Sequence, residues 1–226
     1  MMYPIHGMIT VSKEDYLKAI LEAEAEGVRV ISATLAHWLK VSPPAVTMAL
    51  RRLKRDGMVR VAADGHVQLT AEGRKIARST VNRHHLIERM LHEIFGFPWY
   101  KVHDEAERLE HSISADFEAI LAKRLGREGL CPHGNHALPE NPAARRRRGL
   151  RLLHEAEVGG WYKVASVYER DRDLLEFLEA RGLRPGARVR VLVRNYDETL
   201  GVETEDKRSS IGRPAAERVW IAQARK

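Results

Sequence analysis

Residues Ser42–Gly57 read SPPAVTMALRRLKRDG, and this stretch decides the N-terminal fold. Ser42 is a good N-cap, and Pro43 and Pro44 fall in a first helical turn, where a missing N–H costs nothing because those groups are unpaired anyway. The helix that follows turns Ala45, Val46, Ala49, Leu50 and Leu53 inward and stops at Asp56-Gly57. Upstream, Ser12 followed by Lys13, Glu14 and Asp15 opens an amphipathic helix that ends near Gly27. A short helix over Ser32–Lys40 (SATLAHWLK) and the turn Val41-Ser42 come next. Downstream, segments 58–62 and 66–70 flank Asp64-Gly65, a strong hairpin pair. Helix, helix, tight turn, helix and two-stranded hairpin is the order of a winged helix-turn-helix. Its third helix, entered through Pro43 and Pro44, would offer Ser42, Ala45, Thr47 and Met48 to bases and Arg51, Arg52 and Lys54 to phosphates.

The whole chain has 226 residues, 44% of them hydrophobic, enough to fill real cores. The formal charge of +7 suggests an anionic partner, but the surplus is spread along the chain, so a footprint must come from local arrangement. No apolar run reaches the ~18–20 residues of a membrane helix. The start, Met1–His6, lacks a basic-then-apolar signal, so a cytoplasmic protein with no membrane partner is expected. Cys131, the one cysteine, excludes a disulfide scaffold and leaves a free thiol or a metal ligand. The run Arg145–Arg148, beside Pro139 and Pro142, reads as a solvated tether.

Between wing and tether the pattern is helical: one long helix from Thr70 to about Phe95, then Tyr100–Ile113 and Ala115–Leu125, of a length that suits a helical dimer interface. In the final third, Trp161–Tyr168, Ala187–Arg194 and Arg218–Ala222 alternate like strands, with Val189, Val191 and Val193 on one face. A small β-barrel with a helix at Asp173–Arg181 is the economical reading.

The sharpest chemistry lies in Val102–His111, VHDEAERLEH. His103, Glu107, Glu110 and His111 stand at i, i+4, i+7 and i+8, one stripe of a helix. Two carboxylates and two imidazoles there repel unless something positive neutralises them, and a divalent metal uses every lone pair. The preceding helix, Arg83–Leu91 (RHHLIERML), sets His84 and Glu88 one turn apart, and two such helices can form a metal cradle. His85 and His92 lack a comparable partner set and read as surface or structural residues. Cys131 and His133 in the loop CPHGN add a thiolate and an imidazole, a weak pair alone because metal sites need three or more ligands.

These residues resemble the DtxR/MntR family of iron- and manganese-dependent repressors over essentially the whole chain. The resemblance implies a mainly α protein with a small β part: a winged helix-turn-helix over 1–77, a helical metal-binding and dimerisation domain with a Pro/Arg-rich linker over 78–150, and an SH3-like (FeoA-like) barrel over 151–226. It implies a homodimer that binds Mn(II) or Fe(II) as corepressor, grips palindromic double-stranded operator DNA and controls metal-homeostasis genes. Carried over by position, the primary site would use Asp15, Glu107, Glu110 and His111. Asp15 and Glu107 stand where iron-sensing members have methionine and cysteine, which hardens the site toward Mn(II). His84, Glu88 and His103 match ancillary positions, Cys131 and His133 join Glu88 in some members, and Zn(II) or another divalent ion could occupy that second site. An acid near the start of the barrel's helix completes it, with Asp171 the candidate and Asp173 close behind. Lys18 replaces a glutamate of the binuclear manganese sensors, which argues against a second metal placed as in them. Met48 stands where iron sensors often carry glutamine, so the operator sequence does not carry over.

Two rivals remain at this level. One is an iron-responsive repressor of the same family, the other a winged-helix regulator that ignores metal and uses the acidic stripe structurally. An enzyme acting on a small organic substrate is not expected: the chain has no HExxH pair, no GxSxG elbow and no phosphate-cradling glycine loop.

Overall fold

The computed structural model describes residues 11–126 and 129–224, so the opening Met1–His6 lies outside the described residues. Contacts divide the chain into two units, one of residues 1–83 with 138–142, the other of 84–137 with 143–226. No described helix is long and apolar enough to cross a membrane.

In the first unit α1 (Val11–Ala25), α2 (Ser32–Leu39) and α3 (Pro43–Arg55) pack with the two-stranded wing β1 (Val59–Val61) and β2 (Val67–Leu69). Leu17 and Ile20 from α1, Leu35 from α2, Val46 and Leu53 from α3, and Val67 from β2 meet in one core. The α2–α3 turn is tight because Lys40 adopts a left-handed φ of 53°, closing α2 with its N–H on the His37 carbonyl. Ser42 caps α3, its hydroxyl accepting the Ala45 N–H at 3.4 Å. The wing pairs Val59 with Leu69 and Val61 with Val67, and Asp64 turns it by accepting the His66 N–H at 3.1 Å.

The helix α4 (Ala71–Arg89) starts directly after the wing. Thr70 accepts the Gly73 N–H at 3.1 Å and donates to the Gly57 carbonyl at 2.7 Å, tying helix start to wing base. Gly73 is required there, since a Cβ would lie 2.0 Å from the Met58 carbonyl oxygen.

The division between the units falls within α4. The helix continues as a π-helical turn over Met90–Ile94, and a 3₁₀ turn at Trp99–Lys101 leads into α5 (Val102–Leu109) and α6 (Ala115–Leu125). Ile87, Leu91, Val102, Ala106 and Leu121 form the core of these helices. After α7 (Pro142–Arg147), β3 (Arg151–Leu152), β4 (Trp161–Val167), α8 (Arg172–Glu179), β5 (Arg188–Arg194), β6 (Leu200–Thr204), β7 (Arg208–Ile211), α9 (Arg213–Ala216) and β8 (Val219–Gln223) complete the chain. The six strands form one antiparallel sheet in the order β3-β8-β4-β5-β6-β7, bent by bulges near Ala165 and Leu192. It is the SH3-like element, with β3 and β7 as edges that do not pair to close a barrel.

Two expectations are corrected. Val193 does not share the buried face of Val189 and Val191, because the bulge between Val191 and Val193 shifts the alternation and leaves Val193 exposed. The run Arg145–Arg148 is solvated only in part: Arg146, Arg147 and Arg148 are exposed, but α7 takes the place of a tether and the run makes specific contacts. Arg145 is buried with its guanidinium over the Trp220 ring at 5.3 Å, Arg146 grips Glu155 through two bonds of 2.7 and 2.9 Å, and Arg148 meets His136 at 3.1 Å. Bidentate geometry and stacking suit guanidinium, which is weakly hydrated and therefore docks where lysine would stay in water.

Gly73→Ala should destabilise the protein by ~1–3 kcal/mol, the usual cost of overpacking a close contact. Chemical denaturation monitored by circular dichroism measures this, and a midpoint equal to that of the parent chain would show that the contact relaxes without cost.

Candidate metal centre

The second unit gathers ligand-type side chains from four separate segments. The helix α4 brings His84, His85 and Glu88 on consecutive turns, α5 and its C-cap bring His103, Glu107 and Glu110, the loop after α6 brings Cys131 and His133, and the chain leaving β4 brings Glu169. His84, His85, Glu88, His103, Glu110, Cys131 and His133 are all buried.

Long-range contacts within the unit hold these segments in register. Trp99 enters the sheet core and donates its indole N–H to Glu179 at 2.6 Å, which ties the start of α5 to α8. The loop 131–135 closes on itself, Cys131 N–H to the Asn135 carbonyl at 2.9 Å, and is pinned to β4 by the Val167 N–H on the His133 carbonyl at 2.9 Å. Gly134 makes that docking possible: its φ is 79°, and a Cβ would lie 2.1 Å from the Ala165 carbonyl oxygen. Asn135 donates to Glu169 Oε2 at 2.7 Å and accepts from Arg145 at 3.5 Å, so α7 braces the loop and the carboxylate together.

Two overlapping donor sets result. In the first, His84 Nδ1 lies 2.7 Å from Glu110 Oε2, while its Nε2 faces Glu88 Oε1 at 3.1 Å and His103 Nδ1 at 3.1 Å; His103 Nδ1 lies 3.4 Å from Glu88 Oε1. With the Nδ1 proton given to Glu110, three lone-pair atoms converge on one point. Donors on a cation at bond lengths of ~2.1 Å stand ~3.0–3.4 Å apart, so the spacing fits a bound ion. Glu107 reaches the same set, 3.6 Å from His103 Nε2, and groups with His84 and Glu110. His111 Nε2 lies 3.3 Å from Glu110 Oε1.

The second set contains His85, Glu88, Cys131 and Glu169, each offering one ligand atom within 4.8 Å of the others. His133 Nδ1 stands between Glu88 Oε1 at 3.3 Å and Glu169 Oε2 at 3.6 Å, and Cys131 Sγ lies 3.5 Å from Glu169 Oε2. Glu88 Oε2, His85 Nδ1 and His133 Nε2 are buried with no hydrogen-bond partner among the described residues.

The electrostatics follow from burial and crowding. Desolvation opposes the Glu88 charge, yet His133 and His84, with hydrogen bonds from His103 and His133, hold its carboxyl well below the usual range. Burial likewise opposes the Glu169 charge, and His85 and His133 outweigh it, so its carboxyl also falls far below the ordinary value. Burial, Glu88 and Glu169 push the Cys131 thiol well up. His133 is destabilised as a cation by burial but raised above 6.5 by Glu88. The imidazoles thus hold both buried carboxylates in the charged form, the form that a divalent cation takes.

Most of the expected residues of this unit are therefore brought together: His84, Glu88, His103, Glu107, Glu110, Cys131 and His133 lie in or against the two sets. Asp171 does not join them. It is the exposed N-cap of α8, its Oδ1 accepting the Leu174 N–H at 3.0 Å, and Asp173 is exposed within α8. Glu169, two residues upstream, supplies the carboxylate instead, because the chain passes the CPHGN loop as it leaves β4, before the helix begins. His85, expected at the surface or in a structural role, is buried against Glu169 at 3.9 Å. Neither could be found by helical spacing, since their partners are distant in sequence. Asp15 lies on α1 in the first unit, whose surface also presents Ser42, Pro43, Pro44, Ala45, Thr47, Met48, Arg51, Arg52 and Lys54, all exposed. Ala45 thus leaves the inner face of α3 and Val46, Leu50 and Leu53 fill it.

Cation binding to the centre should release protons, because Cys131 and His133 both hold theirs more tightly than usual and must give them up to ligate. Affinity should accordingly rise with pH. Zn(II) calorimetry in buffers of different ionisation enthalpy, repeated at two pH values, measures both, and a pH-independent affinity with no proton release would contradict the ligand set.

Comparison with known proteins places the whole chain. The model of the iron dependent repressor N-terminal DNA binding domain matches residues 8–67, that of the iron dependent repressor metal binding and dimerisation domain matches 70–139, and the FeoA domain matches 151–223. The iron-dependent repressor IdeR of Mycobacterium leprae is 36% identical over 193 residues, covering 79% of this chain and 82% of that protein. The diphtheria toxin repressor of Corynebacterium efficiens is 34% identical over 192 residues, covering 85% of this chain and 74% of that protein. Among solved structures, a manganese-dependent transcriptional repressor in complex with manganese superposes with a TM-score of 0.82 at 30% identity, over 94% of this chain and 100% of that one. With three consecutive domain matches and relatives aligned over most of their length, the chain belongs to the DtxR/MntR family of iron- and manganese-dependent repressors.

Proposed function

We propose that this chain is a metal-dependent transcriptional repressor that responds to Mn(II), with Fe(II) as the alternative corepressor, and that it binds a palindromic operator as a homodimer. The observation that carries the reading is the buried donor cluster of His84, Glu88, His103 and Glu110 in a chain whose α3 exposes Arg51, Arg52 and Lys54. The preference for Mn(II) rests on donor hardness: Asp15 and Glu107 put carboxylates where iron sensors place thioether and thiolate. Cellular availability still acts on top of intrinsic affinity, so the preference is one of site chemistry. Targets in metal homeostasis follow from the same reading, and the absence of enzyme motifs argues against catalysis.

The roles divide by residue. The primary ligand set takes Asp15 from the DNA-binding domain with Glu107, Glu110 and His111 from the helical domain, on the sequence correspondence. A cation bound there favours the dimer form whose recognition helices match successive major-groove turns, which makes metal and DNA affinity reciprocally coupled. On α3, Ser42, Ala45, Thr47 and Met48 read bases and Arg51, Arg52 and Lys54 hold phosphates. The Thr47 hydroxyl is engaged with the Pro43 carbonyl at 3.0 Å and can exchange that bond for a base edge.

The homodimer reading is supported by an apolar group in the second unit. Phe95 is 70% exposed and Ile120 61%, with Ile94 and Phe117 also exposed. Large apolar side chains left open on helices are candidates for burial against a partner.

A mobility shift with the DNA upstream of the protein's own coding region should appear only with Mn(II) or Fe(II) and vanish with chelator. Asp15→Ala should abolish the metal response while the protein stays a folded dimer; a normal Mn(II) titration by that variant would sink the bridging role. Ile120→Arg should convert the dimer to monomer in light scattering and weaken operator binding at least ~10-fold, since two half-sites are no longer linked. An unchanged dimer mass would remove this face from the interface.

A further inference from the structure

The outer face of the six-stranded sheet carries positive charge that its surroundings leave uncompensated. On β4, Tyr162 and Val164 enter the core, so Trp161 and Lys163 face out; on β5, Val189 and Val191 enter it, so Arg188 and Arg190 face out. The register sets Lys163 directly opposite Arg188 and Trp161 opposite Arg190. Like charges opposite one another on paired strands destabilise a sheet, a cost that a bound anion would remove. Other arginines of this element hold carboxylates: Arg194 lies 3.1 Å from Glu198, Arg208 2.7 Å from Glu203 and Arg213 2.8 Å from Glu217. Glu203 is the acid opposite Arg190, and Arg208 takes it. Among the described residues, no carboxylate pairs with Lys163, Arg188 or Arg190. The two guanidiniums are nevertheless fixed in place. Arg188 lies 5.0 Å and Arg190 5.9 Å from the Trp161 ring centre, and Arg190 Nε donates to the Gly159 carbonyl at 3.3 Å. A guanidinium stacked on a ring keeps an N–H edge for the oxygens of a phosphate.

We propose that Lys163, Arg188 and Arg190, arranged around Trp161, form a second DNA-contact surface that holds backbone phosphates of double-stranded DNA without reading sequence. The inference rests on the DNA-binding reading above and adds to it a surface outside the winged helix. Duplex DNA offers one charge per ~1.7 Å of axis, about twice the density of a fully acidic extended peptide at ~3.3 Å per residue, and so suits a tight cluster of cations. Three cations hold a free partner weakly. Carried on the same chain as a DNA-binding domain, they meet DNA at high effective concentration, where a few phosphate contacts count.

Fluorescence anisotropy of the full-length protein with Mn(II) and a duplex of unrelated sequence, over a series of salt concentrations, tests this. The double variant Lys163→Gln with Arg188→Gln should lower the slope of log affinity against log salt by ~2 and weaken binding at least ~10-fold at ~0.1 M salt. Arg188→Lys, which keeps the charge, should keep the slope. Arg213→Gln, which removes a cation already paired with Glu217, should keep it too. The double variant should melt no lower than the wild-type protein, because a repulsive cross-strand pair is gone, and this separates lost contacts from lost folding. An unchanged slope in the double variant, or an equal fall in Arg213→Gln, overturns the proposal. Binding to phosphatidylglycerol vesicles or polyglutamate that the double variant loses, with its DNA slope intact, gives the face to a lipid or an acidic peptide and also overturns it. An unchanged slope beside a Mn(II)-dependent shift of the upstream DNA removes this face and leaves the regulator reading standing. A reduced slope with no Mn(II)-dependent shift does the reverse, and an absence of any DNA binding by the wild-type protein overturns both.

Discussion

The charge on Glu88 is the constraint on which the second unit is organised. A carboxylate with no solvent exposure is tolerated only where positive charge or hydrogen-bond donors surround it, and here the surrounding groups are the imidazoles of His84, His103 and His133. These belong to α4, α5 and the loop after α6, so one buried charge draws three segments to one point. Imidazole nitrogens and a carboxylate directed at one another are also the donor types that a divalent cation takes, and ligation requires the imidazoles to give up their protons.

Convergence of that kind needs a rigid frame, and the frame is the sheet. Trp99 inserts into its core and bonds Glu179, Gly134 lets the CPHGN loop lie on the β4 backbone, and α7 clamps the same loop through Arg145 and Asn135. The SH3-like element is thereby more than an appendage to the helices. It donates Glu169 and fixes the loop that carries Cys131 and His133. Side chains placed by packed elements and hydrogen-bonded partners are held in position independently of any ligand, which is the condition for a pre-organised site.

The first unit follows a different logic. Its core is mainly apolar, and exposed polar groups line α3, where a Ser cap and two prolines open the helix and Arg51, Arg52 and Lys54 stand on its later turns. The surplus of +7 is spread over the chain and much of it elsewhere is consumed internally, as Arg145 and Arg146 show by docking on Trp220 and Glu155. Local arrangement of charge, rather than its total, separates the exposed cations of α3 from the structural arginines.

Much of this was legible before any coordinates. Caps, prolines, the Asp64-Gly65 turn and helical spacing are local, and they marked the winged helix, the His103–Glu107–Glu110 stripe and the His84–Glu88 pair, because a helix sets its own side-chain directions. The bulge that exposes Val193, the docking of Arg145, the exchange of Asp171 for Glu169 and the burial of His85 were not legible. Each depends on which distant strand or loop lies alongside. Glu169 and Asp171 are both acids beside the start of α8, and only the path of the chain past Gly134 assigns one to the cluster and the other to a helix cap. The sequence by itself determined the elements and most of the ligand types; the tertiary structure decided which ligands meet, because a metal centre is built from long-range contacts that no local periodicity encodes.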